Sequence, residues 1–217
     1  KEGWVFPEGP DGEQPEEGYP LHRLYAENDP NYSGKVTVPT LWDSKTRRIV
    51  NNESSEIIRI LNSAFDGITG NRLDLYPEDL RPQIHHWNDL IYPGLNNGVY
   101  RAGFAKTQAA YDEAVREVFA TLDQMEQHLS THRYLAGEWC TEADWRAFTT
   151  LVRFDVAYHY AFKCNLRRVQ DYPALSNYLR ELYQWPGIAP TVNFEQIKFG
   201  YWYLADKHQI TAIGPEI

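Results

Sequence analysis

Glu53 and Ser54 stand where a helix-forming run begins, beside backbone N–H groups that the first turn of a helix leaves unpaired. A helix N-terminus carries unpaired N–H groups and the positive end of the peptide dipoles, so Ser54 with its hydroxyl and N–H makes an anion site. Asn52 is the expected N-cap, with Ser55 near the third helical position and Glu53 and Ser54 in the first turn. Upstream, Val36, Val38 and Leu41 are strand formers, while Pro39 removes a donor where a ladder should continue. Two arrangements fit that proline: a trans peptide at a sheet edge, or a cis Val38–Pro39 bond turning the Val38 N–H and C=O outward. The cis form is the rarer, about 5–6% of X–Pro bonds in folded proteins. Residues 43–48 read as a charged hairpin connection, and Ile49-Val50 as the returning strand.

Other reactive residue types have simpler readings. Cys140 precedes a helix cap and Cys164 lies near a helix end, where its C-terminal dipole would raise the thiol pKa; both are expected to be buried packing residues. His128 and His132 have i, i+4 ligand spacing but no third ligand nearby in sequence, so no metal is expected. Arg153 and Asp155 sit in an otherwise apolar helix and are expected to make structural pairs. No glycine-rich nucleotide-binding motif occurs.

The elements that must position these residues follow from periodicity. Residues 7–20 carry Pro7, Pro10, Pro15 and Pro20 among glycines and acids and read as an exposed loop. A helix is predicted over 52–65, with Ile57, Ile58, Leu61 and Phe65 on one face. Further helices are predicted over 80–95, over 108–132 and from a Thr141-Glu142-Ala143-Asp144 capping box to about residue 162. Two more begin at Pro173 and at Asn193. Two strands and one helix in the first segment leave sheet edges and a sheet face unsatisfied. At 217 residues and 42% hydrophobic content, with no apolar run long enough for a bilayer, the chain reads as a globular protein. A net charge of -9 argues against nucleic acid or an anionic membrane as partner. Two cysteines form no disulfide framework, so a reducing, cytoplasmic setting is expected. No signal peptide is visible, and the chain begins at Lys1 rather than Met.

Five stretches resemble the glutathionyl-hydroquinone reductases, the Xi class of glutathione transferases. They are Gly3-Trp4-Val5-Phe6, Asp29-Pro30-Asn31-Tyr32-Ser33-Gly34-Lys35-Val36-Thr37-Val38-Pro39, Asn52-Glu53-Ser54-Ser55-Glu56-Ile57-Ile58-Arg59, Asn96-Asn97-Gly98-Val99-Tyr100 and Thr150-Leu151-Val152-Arg153-Phe154-Asp155. The resemblance implies an α+β chain: the C-terminal part of a thioredoxin-like domain over 1–70, then an all-helical transferase domain over 76–217. It implies reduction of a glutathionyl-hydroquinone by a second glutathione, giving hydroquinone and glutathione disulfide, with glutathione as cosubstrate and the protein a homodimer. Trp4 would pack on glutathione, Lys35 would stand where an arginine is common, and Val38 would pair its backbone with the cysteinyl part beside a cis Pro39. Ser54 would take the γ-glutamyl carboxylate and Glu53 the ammonium. Tyr100, Tyr158 and Tyr201 would line the hydroquinone pocket, although 15 tyrosines make packing the ordinary role of any one. That reaction needs a thiolate, which the family carries in a Cys-Pro-Trp-Ala motif upstream of the Trp4 position. The motif is missing from this sequence, so the chain is expected to lack the first βαβ unit. The alternative is a noncatalytic binding or interaction module.

Overall fold

Leu21, Leu24 and Tyr25 recur at helical spacing behind Pro20, and the first helix forms on that stripe. The computed structural model describes residues 3–9, 12 and 17–202 and divides into two units, Lys1–Asp74 and Leu75–Ile217.

In the first unit β1 (Val5–Phe6) pairs antiparallel with β2 (Tyr19–Pro20), and α1 (Leu21–Asn28) follows directly. Residues 7–20 are therefore not wholly an exposed loop: Tyr19 is buried, because it joins Leu21, Leu24 and Tyr25 in a small core packed by Val36, Trp42 and Ile49. Pro10 and Pro15 lie outside the described residues. The second pair is β3 (Leu41–Asp43) and β4 (Arg48–Asn51), with a register irregularity between Leu41 and Trp42. Strand pairing thus begins at Leu41, not at Val36, since Val36–Pro39 is tied down by side chains instead of a ladder. Then come α2 (Ser54–Ser63) and the short α3 (Asp66–Thr69). Glu53, not Asn52, is the N-cap of α2 and stands outside its first turn; the Asn52 side chain is engaged elsewhere. The predicted apolar face of α2 is only partly covered: Ile57 is buried, while Ile58, Leu61 and Phe65 are exposed. Two-stranded sheets offer too little surface to cover it.

The second unit is helical. A 3-10 turn at Glu78–Leu80 leads into α4 (Arg81–Ile91), then a π-helical turn at Tyr92–Asn96, α5 (Gly98–Gly103) and α6 (Gln108–Leu129). The helix predicted over 80–95 changes register because Pro93 has no N–H, and the turn closes by an Asn97 N–H bond to Tyr92 O at 2.8 Å. A Cβ on Gly94 would stand 2.1 Å from Thr121 Oγ1, so the turn packs against α6 through a glycine. On α6 the stripe Tyr111, Val115, Val118, Leu122 and Met125 is buried. The helix predicted from residue 142 to 162 is also interrupted by a π turn, here without a proline: α7 (Glu142–Arg153), the turn at Phe154–Tyr158, then α8 (His159–Ala161). A 3-10 turn at Val169–Asp171 precedes α9 (Pro173–Tyr183), and another at Ala189–Thr191 precedes α10 (Phe194–Trp202), whose Gln196 N–H is capped by Asn193 Oδ1 at 2.9 Å. No helix among the described residues is long and apolar enough to cross a membrane.

Asp144, fully buried, ties the start of α7 to its surroundings. Its carboxylate accepts from Leu135 N at 3.0 Å, Thr141 N at 2.7 Å, Thr141 Oγ1 at 3.1 Å and Tyr178 Oη at 2.8 Å. Removing it strands several buried donors, each costing about 1–3 kcal/mol. Asp144→Ala should therefore destabilise the helical unit by about 4 kcal/mol in urea unfolding followed by tryptophan fluorescence; a loss under about 1 kcal/mol would refute this role.

Candidate functional site

In the first unit the residues singled out by sequence fall on exposed backbone. The Val38–Pro39 peptide is cis, and Val38 is 47% exposed. Its N–H and carbonyl have no hydrogen-bond partner among the described residues. The Ser54 N–H and hydroxyl are likewise unpartnered among those residues, at the start of a ten-residue helix. Glu53 holds its place loosely, accepting from Ser55 N at 3.4 Å and Ser55 Oγ at 3.2 Å, and its own N–H donates to Asn51 Oδ1 at 2.7 Å. A carboxylate so weakly engaged can take an ammonium, and the free N–H and hydroxyl beside it a carboxylate. Trp4 is pinned by its carbonyl, which accepts from Leu21 N at 2.8 Å, while its indole is 59% exposed. Lys35 is exposed, and its carbonyl accepts from Tyr32 Oη at 2.8 Å. A cleft of about 230 Å³ beside Val38 is lined by Phe6, Tyr19, Leu21, Leu24 and Thr40.

One residue that sequence reading passed over joins these segments. Tyr25 Oη donates to Thr37 O at 2.9 Å, lies 3.1 Å from Thr40 Oγ1 and accepts from Asn52 Nδ2 at 3.2 Å. Nothing local marks it, since its partners lie 12 to 27 residues away.

In the second unit three phenols from three elements converge: Tyr100 on α5, Tyr158 at the end of the second π turn and Tyr201 on α10. Their oxygens are 2.6 Å (Tyr100–Tyr201), 3.1 Å (Tyr158–Tyr201) and 3.4 Å (Tyr100–Tyr158) apart. Phe162 packs against all three rings, with centroids 5.3 to 5.7 Å away, and Phe104 stacks on Tyr100. Gly103 admits Phe162, because a Cβ there would lie 2.4 Å from the ring. Trp202 Nε1 donates to Val156 O at 2.8 Å and pins α10 to the π turn. Phe162 follows Tyr158 by four residues, a helical spacing that could have flagged it; Trp202 offered no such signal. Burial, then the neighbouring Tyr100 and Tyr201, push the Tyr158 phenol far up, and burial pushes Tyr201 up to about 12. Tyr158 and Tyr201 are therefore held as neutral hydroxyls, and each phenol of the cluster can donate one hydrogen bond and accept another.

The remaining candidates are engaged structurally. Cys140 and Cys164 are buried, and burial pushes both thiols well up, for Cys140 with the Asp144 and Glu181 carboxylates adding to it. His128 stacks on His132 with centroids 4.2 Å apart, and its Nε2 donates to Tyr134 O at 3.0 Å. No cluster of three or more His, Cys, Asp or Glu able to hold a metal occurs among the described residues. Arg153 bonds Thr149 O, and Asp155 accepts from Val169 N at 2.6 Å and Gln170 N at 3.1 Å.

A thioredoxin-like piece with an exposed cis-proline edge, followed by a helical unit, defines a glutathione transferase. The family models described as Glutathione S-transferase, N-terminal domain and Glutathione S-transferase, C-terminal domain match residues 3–64 and 108–181. The chain is 51% identical over 203 residues to the glutathionyl-hydroquinone reductase YqjG of Escherichia coli, covering 92% of this chain and 62% of that protein. The glutathione-bound structure of YqjG superposes with TM-score 0.88 at 48% identity, covering all of this chain and 72% of that one. A Xi-class transferase from Natrialba magadii gives TM-score 0.85 at 42% identity, covering 100% of this chain and 68% of that one. The chain belongs to the Xi class of the glutathione S-transferase family, the group of the glutathionyl-hydroquinone reductases. It spans 58% to 62% of the length of the two curated reductases it matches.

The raised Tyr201 phenol sets a pH dependence. An unfolded tyrosine ionises near ~10, whereas Tyr201 in the folded unit ionises at about 12. The native state thus holds the proton longer, so the stabilisation is present below pH ~10 and lost as pH rises toward about 12. Unfolding free energy should fall more steeply over that window in the wild type than in Tyr201→Phe; identical slopes would remove the buried-phenol assignment.

Proposed function

We propose that this chain is part of a glutathione-dependent reductase of glutathionyl-hydroquinones, and that the convergence of Tyr100, Tyr158 and Tyr201 within 3.4 Å carries that reading. Phenol hydroxyls packed against Phe104 and Phe162 suit a flat aromatic with polar oxygens: they donate to a quinone oxygen or accept from a hydroquinone O–H. In the first unit Val38 would pair its backbone with the cysteinyl residue of glutathione beside Pro39. Ser54 would hold the γ-glutamyl carboxylate, Glu53 the ammonium, and Trp4 and Lys35 would close over the tripeptide. Glutathione as the ligand is supported by the glutathione-bound structure of the Escherichia coli relative.

The reaction balances in two thiol steps. A cysteine thiolate attacks the sulfur of the glutathionyl conjugate; an S–S bond forms, the C–S bond breaks, and the ring carbon takes the electron pair and a proton. A glutathione thiolate then attacks the mixed disulfide, releasing glutathione disulfide and the protein thiolate. Cys140 and Cys164 are unsuited to the first step, being buried with thiols pushed up. The nucleophile in this reading is a cysteine other than these two. A cytoplasmic homodimer working without a metal completes the proposal.

The full-length protein should release hydroquinone from its glutathione conjugate when glutathione is supplied. Cys140→Ala and Cys164→Ala should retain turnover within about twofold, whereas phenylalanine at position 100, 158 or 201 should lower kcat by about tenfold or more, with glutathione affinity little changed. Chromatographic detection of the hydroquinone decides it. Absence of turnover with glutathione still bound would replace the reductase by a noncatalytic binding module.

A further inference from the structure

The Val38 N–H is exposed and unpartnered, yet nothing in a strand ladder fixes where it points. The constraint comes from the peptide plane that precedes it. In the trans Thr37–Val38 peptide the Thr37 carbonyl and the Val38 N–H point in opposite directions. Tyr25, only 2% exposed, holds that carbonyl with its hydroxyl at 2.9 Å, so the Val38 N–H is turned away from the core. Thr40 Oγ1 reinforces the anchor, lying 3.0 Å from the Thr37 carbonyl and 3.1 Å from Tyr25 Oη. The same phenol oxygen accepts from Asn52 Nδ2 at 3.2 Å, fixing the residue that leads into Glu53 and Ser54. Tyr32 packs on Tyr25 with centroids 5.0 Å apart and holds the Lys35 carbonyl.

We propose that Tyr25 is a positioning residue for thiol-tripeptide binding: through one buried hydroxyl it aims the Val38 N–H at the ligand and sets the entry to the Glu53–Ser54 helix start relative to it. The proposal rests on the reading of Val38, Glu53 and Ser54 as the glutathione cradle. Tyr25 touches no substrate itself. Its phenol gives its one hydrogen to Thr37 O and its oxygen accepts from Asn52 Nδ2, with Thr40 Oγ1 at 3.1 Å the third group around it. Phenylalanine keeps the ring in the core and removes the oxygen that all three share.

The test uses the full-length protein, titrated with glutathione by calorimetry and, with selective ¹⁵N-valine labelling, by NMR. Tyr25→Phe should weaken glutathione binding about tenfold and abolish the ligand-induced shift of the Val38 amide. A residue that only stabilised the unit would lower the thermal midpoint and leave that shift in place in the folded protein. Unchanged affinity, or a retained Val38 shift, would overturn the proposal. Ser54→Ala separates it from the reading beneath it. If Ser54→Ala weakens binding and the wild-type Val38 amide shifts while Tyr25→Phe changes neither, Tyr25 alone loses its role. If Ser54→Ala is also silent and the wild-type amide does not move, the cradle itself is wrong. Should Tyr25→Phe fail to fold, Thr40→Val removes one leg of the anchor: a roughly threefold loss of affinity supports the proposal, and unchanged affinity overturns it.

Discussion

A buried peptide group outside a regular ladder must find a partner or lose several kcal/mol, and the structure depends on how this chain meets that demand with side chains. Asp144 takes the N–H groups of Leu135 and Thr141 and the phenol of Tyr178. Glu126 on α6 takes the N–H groups of Ala174 and Leu175 at the start of α9, at 2.9 and 2.7 Å. Asp155 takes those of Val169 and Gln170. Each carboxylate meets a helix or turn at its positive end, where charge and hydrogen bonding act together. Where donor and acceptor lie on different elements, as for Glu126 with Ala174 and Leu175, satisfying the backbone also fixes how the helices pack.

The same device serves the first unit, where it matters more. Two-stranded sheets and a core of Tyr19, Leu21, Leu24 and Tyr25 provide little apolar burial to hold residues 35–40. Two phenols do so instead, Tyr32 on the Lys35 carbonyl and Tyr25 on the Thr37 carbonyl. The segment stays exposed and outside any sheet, yet its peptide planes are set. That combination is what a ligand pairing with backbone requires, since an ordered partner loses less freedom on binding.

Much of the helical unit was legible because its cause is local. The α6 stripe and the Thr141–Asp144 cap are written in spacings of three and four residues, which only a helix gathers on one face. The misreadings have equally physical sources. Pro93 changes the hydrogen-bond register near the end of a run that still looks periodic. Asn52 has the composition of an N-cap, but its amide is drawn to Tyr25, and Glu53 takes the cap. Helix α1 did carry its stripe, hidden behind a proline-rich stretch read as loop. Of the candidate site, Glu53, Ser54 and Val38 were visible as residue types, while the tyrosines came through resemblance alone. Tyr25 was invisible because its role exists only once residues 12 to 27 positions apart have met.

The cysteines show how placement limits chemistry. A thiol attacks as its thiolate, and reactive cysteines owe that form to nearby positive charge and access to solvent. Cys164 lacks access to solvent, being wholly buried, and Cys140 is buried too and faces the negative fields of Asp144 and Glu181 as well. The burial that makes this unit a stable platform for the Tyr158 and Tyr201 phenols therefore bars its two cysteines from supplying a thiolate.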